Sequence, residues 1–188
     1  MACYVFLLTV DVLVSYVYGY SLVSNYISDL GSREVIPFPF FHDVICFLGG
    51  FITLFTTFFI RKKLKVFYRD SKHSKTFVEI GAVLGLVGAT GYMLLGVFSL
   101  DRAGPEDLYH GIIAFLSFGG FIASIFFYSL NIILSHKCRL KHLGFFGLSV
   151  PIFLFVLFIA VSTPLIEWTL LSSIITFMTI LDYYVFKK

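Results

Sequence analysis

Apolar residues come in six long runs along the chain, and the stretches between the runs carry most of the charged side chains. Each run is close to the length of about 20 residues that a helix needs to cross the hydrocarbon core of a bilayer. Backbone polar groups in lipid must be satisfied within their own segment, so these runs predict helices rather than the shorter, alternating strands of a barrel. The six predicted membrane helices are Ala2–Val23, Phe38–Ile60, Phe77–Phe98, Tyr109–Leu134, Leu143–Thr163 and Trp168–Phe186.

Composition points to the same class of protein. Hydrophobic residues make up 59% of the chain and charged residues only 13%, whereas a soluble domain has about 25% charged residues. We therefore predict an all-α polytopic membrane protein that forms one domain over residues 1–188. The three cysteines, Cys3, Cys46 and Cys138, lie in different segments and form no CxxC pair, so reduced thiols are expected.

Lysine and arginine are distributed unevenly between the two sets of connections. All of the 14 Lys and Arg residues except Arg33 and Arg102 lie in residues 61–76, in residues 135–142 or at the C-terminus. Because cytoplasmic loops are enriched in positive charge, both termini are predicted to be cytoplasmic in a multi-pass protein of the cell membrane. The basic loops are interpreted as contacts for anionic lipid headgroups, and no nucleic-acid partner is predicted.

Small residues in the third run predict how the helices pack. Gly81, Gly85 and Ala89 follow one another at intervals of four, and Gly88 and Gly91 lie beside them. This spacing lets helix backbones approach closely in lipid. The third helix is therefore predicted to lie at the centre of the bundle.

A few polar residues interrupt the apolar runs. Glu79, Asn131 and Asp182 lie near the ends that carry the basic loops, and we expect them to pair with neighbouring Lys or Arg side chains at the interface. Asp11 lies midway along the first run, with no basic residue near it in sequence. Charged groups at membrane depth face the bundle interior, so Asp11 is either a protonated carboxyl bonded inside the bundle or one end of a polar path.

The connections with few basic residues collect the candidate functional side chains. His42 and His110 are predicted to begin the second and fourth helices on the same side of the membrane. Two imidazoles at one depth, beside carboxylates, have the chemistry to bind a metal or to act as an acid–base pair. Asp29 is the predicted third member, since Ser28–Gly31 is typical of a tight turn. The predicted catalytic set and metal-ligand set is therefore Asp29, His42 and His110, with a divalent metal as the candidate cofactor.

A second interpretation of the same residues is purely structural. Acidic side chains near the first turn of a helix complement its dipole, which accounts for Asp43, Glu106 and Asp107. His110 would then only bridge carboxylates at the interface. The acidic residues predicted on this side are Asp29, Glu34, Asp43, Asp101, Glu106, Asp107 and Glu167.

Two short segments resemble a known family. Residues 20–31 contain YS followed by NYISDLG, which resembles the YS…N-x-ISDLG signature of the DUF998 family of prokaryotic membrane proteins. Residues 96–110 resemble the second signature of that family, G-x-F-P-x-D with a downstream His, although Ser99 stands where a Pro is usual. The family is similar to the six-helix Frag1/DRAM/Sfk1 group, some members of which act in lipid remodelling or distribution. The resemblance implies a six-helix fold with an outward polar site built from Asn25, Ser28, Asp29, Asp101 and His110.

Several functions remain open at this point. The first is a non-catalytic protein that binds a lipid or another ligand, or an accessory subunit of a membrane complex, with Asn25, Ser28, Asp101 and Asp11 as ligand-binding residues. The second is a lipid-headgroup hydrolase or transferase that activates water with the Asp29, His42 and His110 set. A small transporter or proton path through Asp11, and a haem held between the two histidines, complete the alternatives. The expected partners are membrane lipids and other membrane subunits.

Overall fold

The computed structural model describes residues 1–67, 72–102, 108–134 and 140–187. Within these ranges the chain is all-α, as predicted, with six α-helices joined by loops and two short 3₁₀ helices. The first 3₁₀ helix is Ile27–Gly31 and the second is Leu100–Arg102. The α-helices are α1 Ala2–Tyr16, α2 Pro39–Phe67, α3 Lys72–Val97, α4 Leu108–Leu134, α5 Lys141–Val161 and α6 Pro164–Phe186.

Five of these helices, α2 to α6, are long and apolar enough to cross a membrane. This indicates a multi-pass membrane protein. The remaining helix, α1, has only 15 residues, fewer than the roughly 20 that span a bilayer core. The sixth crossing and the cytoplasmic location of the termini stay predictions.

The first helix ends earlier than predicted, at Tyr16 instead of Val23. Gly19 has a φ of 91°, a left-handed conformation that a residue without Cβ adopts easily. The N–H of Gly19 donates to the carbonyl of Tyr16 and the N–H of Tyr20 donates to that of Ser15. This pair of hydrogen bonds is the Schellman motif that closes helices at glycine. The apolar residues that follow therefore belong to a connection.

The other helices extend further than the apolar runs because charged residues continue them. Arg61 and Lys65 remain in α2, and both form ion pairs with Glu79 of α3, where the Arg61 Nε–Glu79 Oε2 distance is 2.8 Å. The predicted pairing of Glu79 is thus confirmed. Asp182 lies 3.9 Å from the terminal amine of Met1, so its partner is not a Lys or Arg side chain.

Two further sequence predictions need correction. Asn131 accepts a hydrogen bond from the hydroxyl of Ser74, which lies on α3, where a basic partner was expected. The fifth helix was predicted to end at Thr163 and the sixth to begin at Trp168, but α5 ends at Val161 and Pro164 is already the first residue of α6. Proline fits this first position because its missing N–H has no partner within the helix.

The third helix packs closely against both of its neighbours, as its small residues predicted. A Cβ on Gly50 of α2 would lie 2.6 Å from the carbonyl oxygen of Ala89 on α3. On the other side of α3, a Cβ on Gly88 would lie 2.8 Å from the backbone nitrogen of Phe121 on α4. These glycines bring backbone against backbone, which is the packing that small residues permit in lipid.

Adjacent glycines on α4 provide a matched test of this packing. A Cβ at Gly120 would lie 2.6 Å from the backbone nitrogen of Gly88, whereas a Cβ at Gly119 meets nothing nearer than Phe155, at 3.9 Å. We expect Gly120→Ala to destabilise the bundle by about 1–3 kcal/mol, the usual cost of overpacking. Gly119→Ala should be neutral or stabilising, because alanine favours the helix by up to about 1 kcal/mol. Unfolding by denaturing detergent would measure both, and equal effects would contradict the close approach.

Candidate functional site

The connections at one end of the bundle fold onto one another. We call this the acidic end; it comprises residues 17–38, both 3₁₀ helices and the first turns of α2, α4 and α6. The N–H of Arg33 donates to both carboxylate oxygens of Asp101, at 3.1 Å each. Nearby, Arg102 Nη2 donates to Asp43 Oδ2 at 2.5 Å. The predicted meeting of the two connections is confirmed for these residues, whereas Glu106 and Asp107 lie outside the described residues.

The first 3₁₀ helix is also anchored to α6. The N–H of Ile27 donates to Glu167 Oε2 at 2.7 Å, and the indole N–H of Trp168 donates to the hydroxyl of Tyr20 at 3.0 Å. Burial raises the pKa of Tyr20, so this hydroxyl stays protonated and donates to the carbonyl of Tyr26. Residues 17–38, which we call the covering segment, are therefore held over this end of the bundle by buried hydrogen bonds.

Three residues that the resemblance assigned to the site belong to this covering segment. Asp29 Oδ2 accepts hydrogen bonds from the N–H of Tyr26 at 2.9 Å and from the amide of Asn25 at 3.3 Å. Asn25 Oδ1 accepts in turn from the N–H of Ser21. Asn25 and Asp29 of the family-like signature therefore stabilise a turn, since Asn and Asp side chains commonly accept hydrogen bonds from nearby backbone N–H groups. Ser28 is the member that reaches the cavity beneath the segment.

A small cavity of about 30 Å³ lies beneath the first 3₁₀ helix. It brings together the two histidines that the sequence placed at helix starts, although Asp29 is not among its lining residues. A volume of this size holds one or two water molecules, and it is too small for a lipid headgroup. The polar side chains that line it are Ser28, His42, Cys46, Tyr92, Ser99, His110 and Glu167.

The two histidines have different hydrogen-bond partners. His110 Nδ1 lies 2.9 Å from the carbonyl oxygen of Phe98, and a carbonyl only accepts, so Nδ1 carries the proton. In the neutral ring this leaves Nε2 as an acceptor. His42 instead lies between two side chains, and both of its ring nitrogens are engaged.

Asp11, His42 and Cys46 form a buried hydrogen-bonded row. His42 Nδ1 lies 2.7 Å from Asp11 Oδ2, and His42 Nε2 lies 3.2 Å from Cys46 Sγ. All three side chains are buried, with 3%, 5% and 3% of their surface exposed. Asp11 is thus bonded inside the bundle, with His42 as its partner, while the predicted protonation of its carboxyl and the polar path stay predictions. The i, i+4 spacing of His42 and Cys46 places them on one helix face, but no sequence signal links Asp11 to that face.

These contacts bear on the predicted metal and haem sites. Within the described ranges, no three His, Cys, Asp or Glu side chains are grouped so that they could hold a metal ion. Asp29, His42 and His110 are therefore not assembled as a ligand set. A metal or haem iron at His42 would also have to displace either Asp11 or Cys46.

A second depression lies beside the C-terminal half of α1. It has a volume of about 270 Å³, and its walls are apolar. Asp11 and Ser15, both buried, lie among its lining residues. We call it the α1 groove. The remaining lining residues are Val14, Tyr18, Ile36, Phe38 and Phe41. Asp11 thus borders the groove while its partner His42 borders the cavity.

No family model, curated protein or solved structure matches this chain. The class that the fold and site define is a multi-pass helical membrane protein with a buried Asp–His–Cys row beneath a folded covering segment.

Removing one member of the Asp11–His42 pair should be costly. Loss of either partner from a buried pair costs about 3–5 kcal/mol, because the other is left without its hydrogen bond. We expect Asp11→Ala and His42→Ala each to destabilise the bundle by that order. The double variant should lose clearly less than the sum of the two, since interacting residues are not additive. Detergent-induced unfolding of all four proteins measures the coupling, and strict additivity would show that the pair does not interact.

The contact between the two connections also makes a prediction. Asp101→Ala removes the acceptor of the Arg33 N–H, a hydrogen bond worth about 1 kcal/mol. Amide hydrogen exchange at Arg33 and in the first 3₁₀ helix should then accelerate roughly fivefold, because that free energy sets the local opening equilibrium. Glu34→Ala is the matched control, since Glu34 is an exposed acid in the same connection. Equal acceleration in both variants would contradict a specific role for Asp101.

Proposed function

We propose that this protein is a lipid-binding membrane protein that holds a single acyl chain in the α1 groove. The observation that carries the proposal is the pairing of apolar walls with a buried carboxylate and hydroxyl in one groove. An amphiphile has the matching distribution of apolar and polar atoms. The groove volume of about 270 Å³ is near the lower end of the range of about 300–1,000 Å³ for small-molecule pockets.

The walls of the groove suit hydrocarbon. Val14, Tyr18 and Phe38 line it and are each at least 46% exposed. In a protein whose neighbouring helices have the length and composition to cross a membrane, such surface is in contact with lipid tails. A lipid therefore reaches the groove sideways, from within the bilayer.

The polar floor favours a ligand that carries a hydrogen-bond donor. Asp11 accepts from His42 through Oδ2, and a carboxylate has further lone pairs for a second donor. A lipid hydroxyl or amine supplies this second donor, whereas a bare hydrocarbon supplies none.

The family and the orientation belong to the same proposal. Membership of the DUF998 family, argued from residues 20–31 and 96–110, is in keeping with lipid binding at the acidic end. The distribution of Lys and Arg supports a cytoplasmic location for the opposite end. The lipid would then come from the outer leaflet.

Neighbouring residues on α1 give a matched test of the groove. Val14 lines it, whereas Leu13 is exposed but is not among the lining residues. We expect Val14→Trp to lower the amount of co-purified lipid at least about tenfold, equivalent to about 1.4 kcal/mol, because the indole fills the groove. Leu13→Trp should retain the wild-type amount. Native mass spectrometry of protein reconstituted with a total lipid extract measures retention and identifies the lipid. Equal retention in both variants, or no bound lipid in the wild type, would overturn the proposal.

A further inference from the structure

We propose that Cys46, His42 and Asp11 form a nucleophilic centre that transfers acyl groups from lipid esters or thioesters. Cys46 is the nucleophile, His42 the general base and Asp11 the residue that orients the imidazole. The inference rests on the proposed lipid binding for the source of its substrate. The reactive centre itself is argued from geometry alone.

The hydrogen bonds fix the roles of the two imidazole nitrogens. In the arrangement that we propose, His42 Nδ1 carries the proton and donates it to Asp11 Oδ2, 2.7 Å away. His42 Nε2 is then a lone pair 3.2 Å from Cys46 Sγ, in position to receive the thiol proton. A nucleophile bonded to a base that a third group orients is the arrangement that activates serine and cysteine in acyl-transfer enzymes.

Packing alone does not account for this row of side chains. A buried cysteine behaves as a small hydrophobe and needs no polar partner. A carboxylate and an imidazole at membrane depth, by contrast, are expensive to bury, and such groups mark functional sites by default. The chain places both beside the thiol, where an apolar pair would pack at lower cost.

The cavity gives the thiol a place to react. Cys46 and His42 line it together with His110, and its volume admits the water that would hydrolyse an acyl-enzyme. A larger substrate carbonyl reaches Sγ only when the first 3₁₀ helix moves aside. The contact between Arg33 and Asp101 holds that segment closed.

Two tyrosines supply a hydrogen-bond donor for the developing oxyanion. The hydroxyls of Tyr4 and Tyr92 are 2.5 Å apart, and Tyr92 lines the same cavity as Cys46. One hydroxyl donates to the other, and Tyr92 also has a hydrogen bond with the Cys46 side chain, so a substrate oxygen near Sγ would take the place of the thiol as the partner of the Tyr92 hydroxyl. Gly49, one turn after the cysteine, leaves room for the pair, because a Cβ there would lie 2.5 Å from the Tyr4 ring.

The reaction balances without any added oxidant or metal. Cys46 Sγ attacks the acyl carbonyl carbon as its proton moves to His42 Nε2. The bond from that carbon to the leaving oxygen or sulfur breaks, and the leaving alcohol or thiol takes the proton from His42. Water then adds to the thioester while His42 takes its proton, and the sulfur leaves and is protonated again. The products are a carboxylic acid and the free enzyme.

The test uses the full chain in lipid nanodiscs with two acyl donors, p-nitrophenyl acetate and a p-nitrophenyl ester of a long-chain fatty acid. We expect wild-type protein to gain the acyl mass at Cys46 as a hydroxylamine-labile adduct and to release p-nitrophenol. Cys46→Ser should lose the labile adduct. His42→Gln and Asp11→Asn should slow its formation by about 100-fold or more, the usual contribution of a positioned base. Cys3→Ser, at an exposed cysteine, should change nothing at Cys46.

Each negative result has a distinct meaning. Absence of a Cys46 adduct with acetate in folded wild-type protein overturns the nucleophilic centre. Equal adduct formation in wild type, His42→Gln and Asp11→Asn overturns the roles of base and orienting residue. Reaction with acetate but not with the long-chain ester, while lipid retention is lost only in Val14→Trp, overturns a lipid ester as the substrate and leaves the nucleophilic centre. Failure of lipid retention in wild type while acetate still reacts overturns the lipid-binding function alone.

A second measurement applies if His42→Gln does not fold. The rate at which iodoacetamide alkylates Cys46 is then compared between wild type and Asp11→Asn. Equal rates would overturn the activation of the Cys46 thiol by the His42–Asp11 pair.

Discussion

The buried hydrogen bond between Asp11 and His42 is the interaction on which the rest of the site depends. Apolar surroundings penalise an unpaired carboxylate or imidazole heavily, so each side chain requires the other to be present in the bundle. Because Asp11 lies on α1 and His42 on the first turns of α2, their bond fixes the short first helix against the second. It also orients the imidazole whose other nitrogen faces Cys46.

The connections at the acidic end fold over the Asp11–His42 pair. A connection of about twenty residues normally carries many solvated backbone groups, yet here they are satisfied by Asp29, Glu167 and Asp101. These three carboxylates accept hydrogen bonds from backbone N–H groups. Most acidic residues at this end therefore stabilise the covering segment, and we assign them no reactive role. Ile27, Ser28 and Gly31 of the covering segment line the cavity, and Ser28 has the only polar side chain among these three. The acidic residues that hold the covering segment in place are thus distinct from the Asp11–His42–Cys46 row that lies beneath it.

Much of this architecture was predictable from hydropathy and small residues. Run length predicted helices α2 to α6, and the glycines of α3 predicted its central place, because both signals are local in sequence. The end of α1 was missed, since Val17–Val23 is apolar enough to continue a helix and only Gly19 marks the stop. In the site, His42 and His110 lie near the starts of their helices and line one cavity, whereas their common membrane depth stays a prediction. Asp29 was misplaced and Asp11 left without a partner, because a contact 31 residues apart is not encoded in any spacing.

The early end of α1 has a consequence for the surrounding bilayer. At about 1.5 Å per residue, its 15 residues extend only about 22 Å, against a hydrocarbon thickness of about 30 Å. Hydrophobic mismatch of this size makes lipid beside a short helix compress and tilt its tails. If α1 is the predicted sixth crossing, the bilayer beside it must thin along that flank, and the protein would then favour the thinner membranes of the cell.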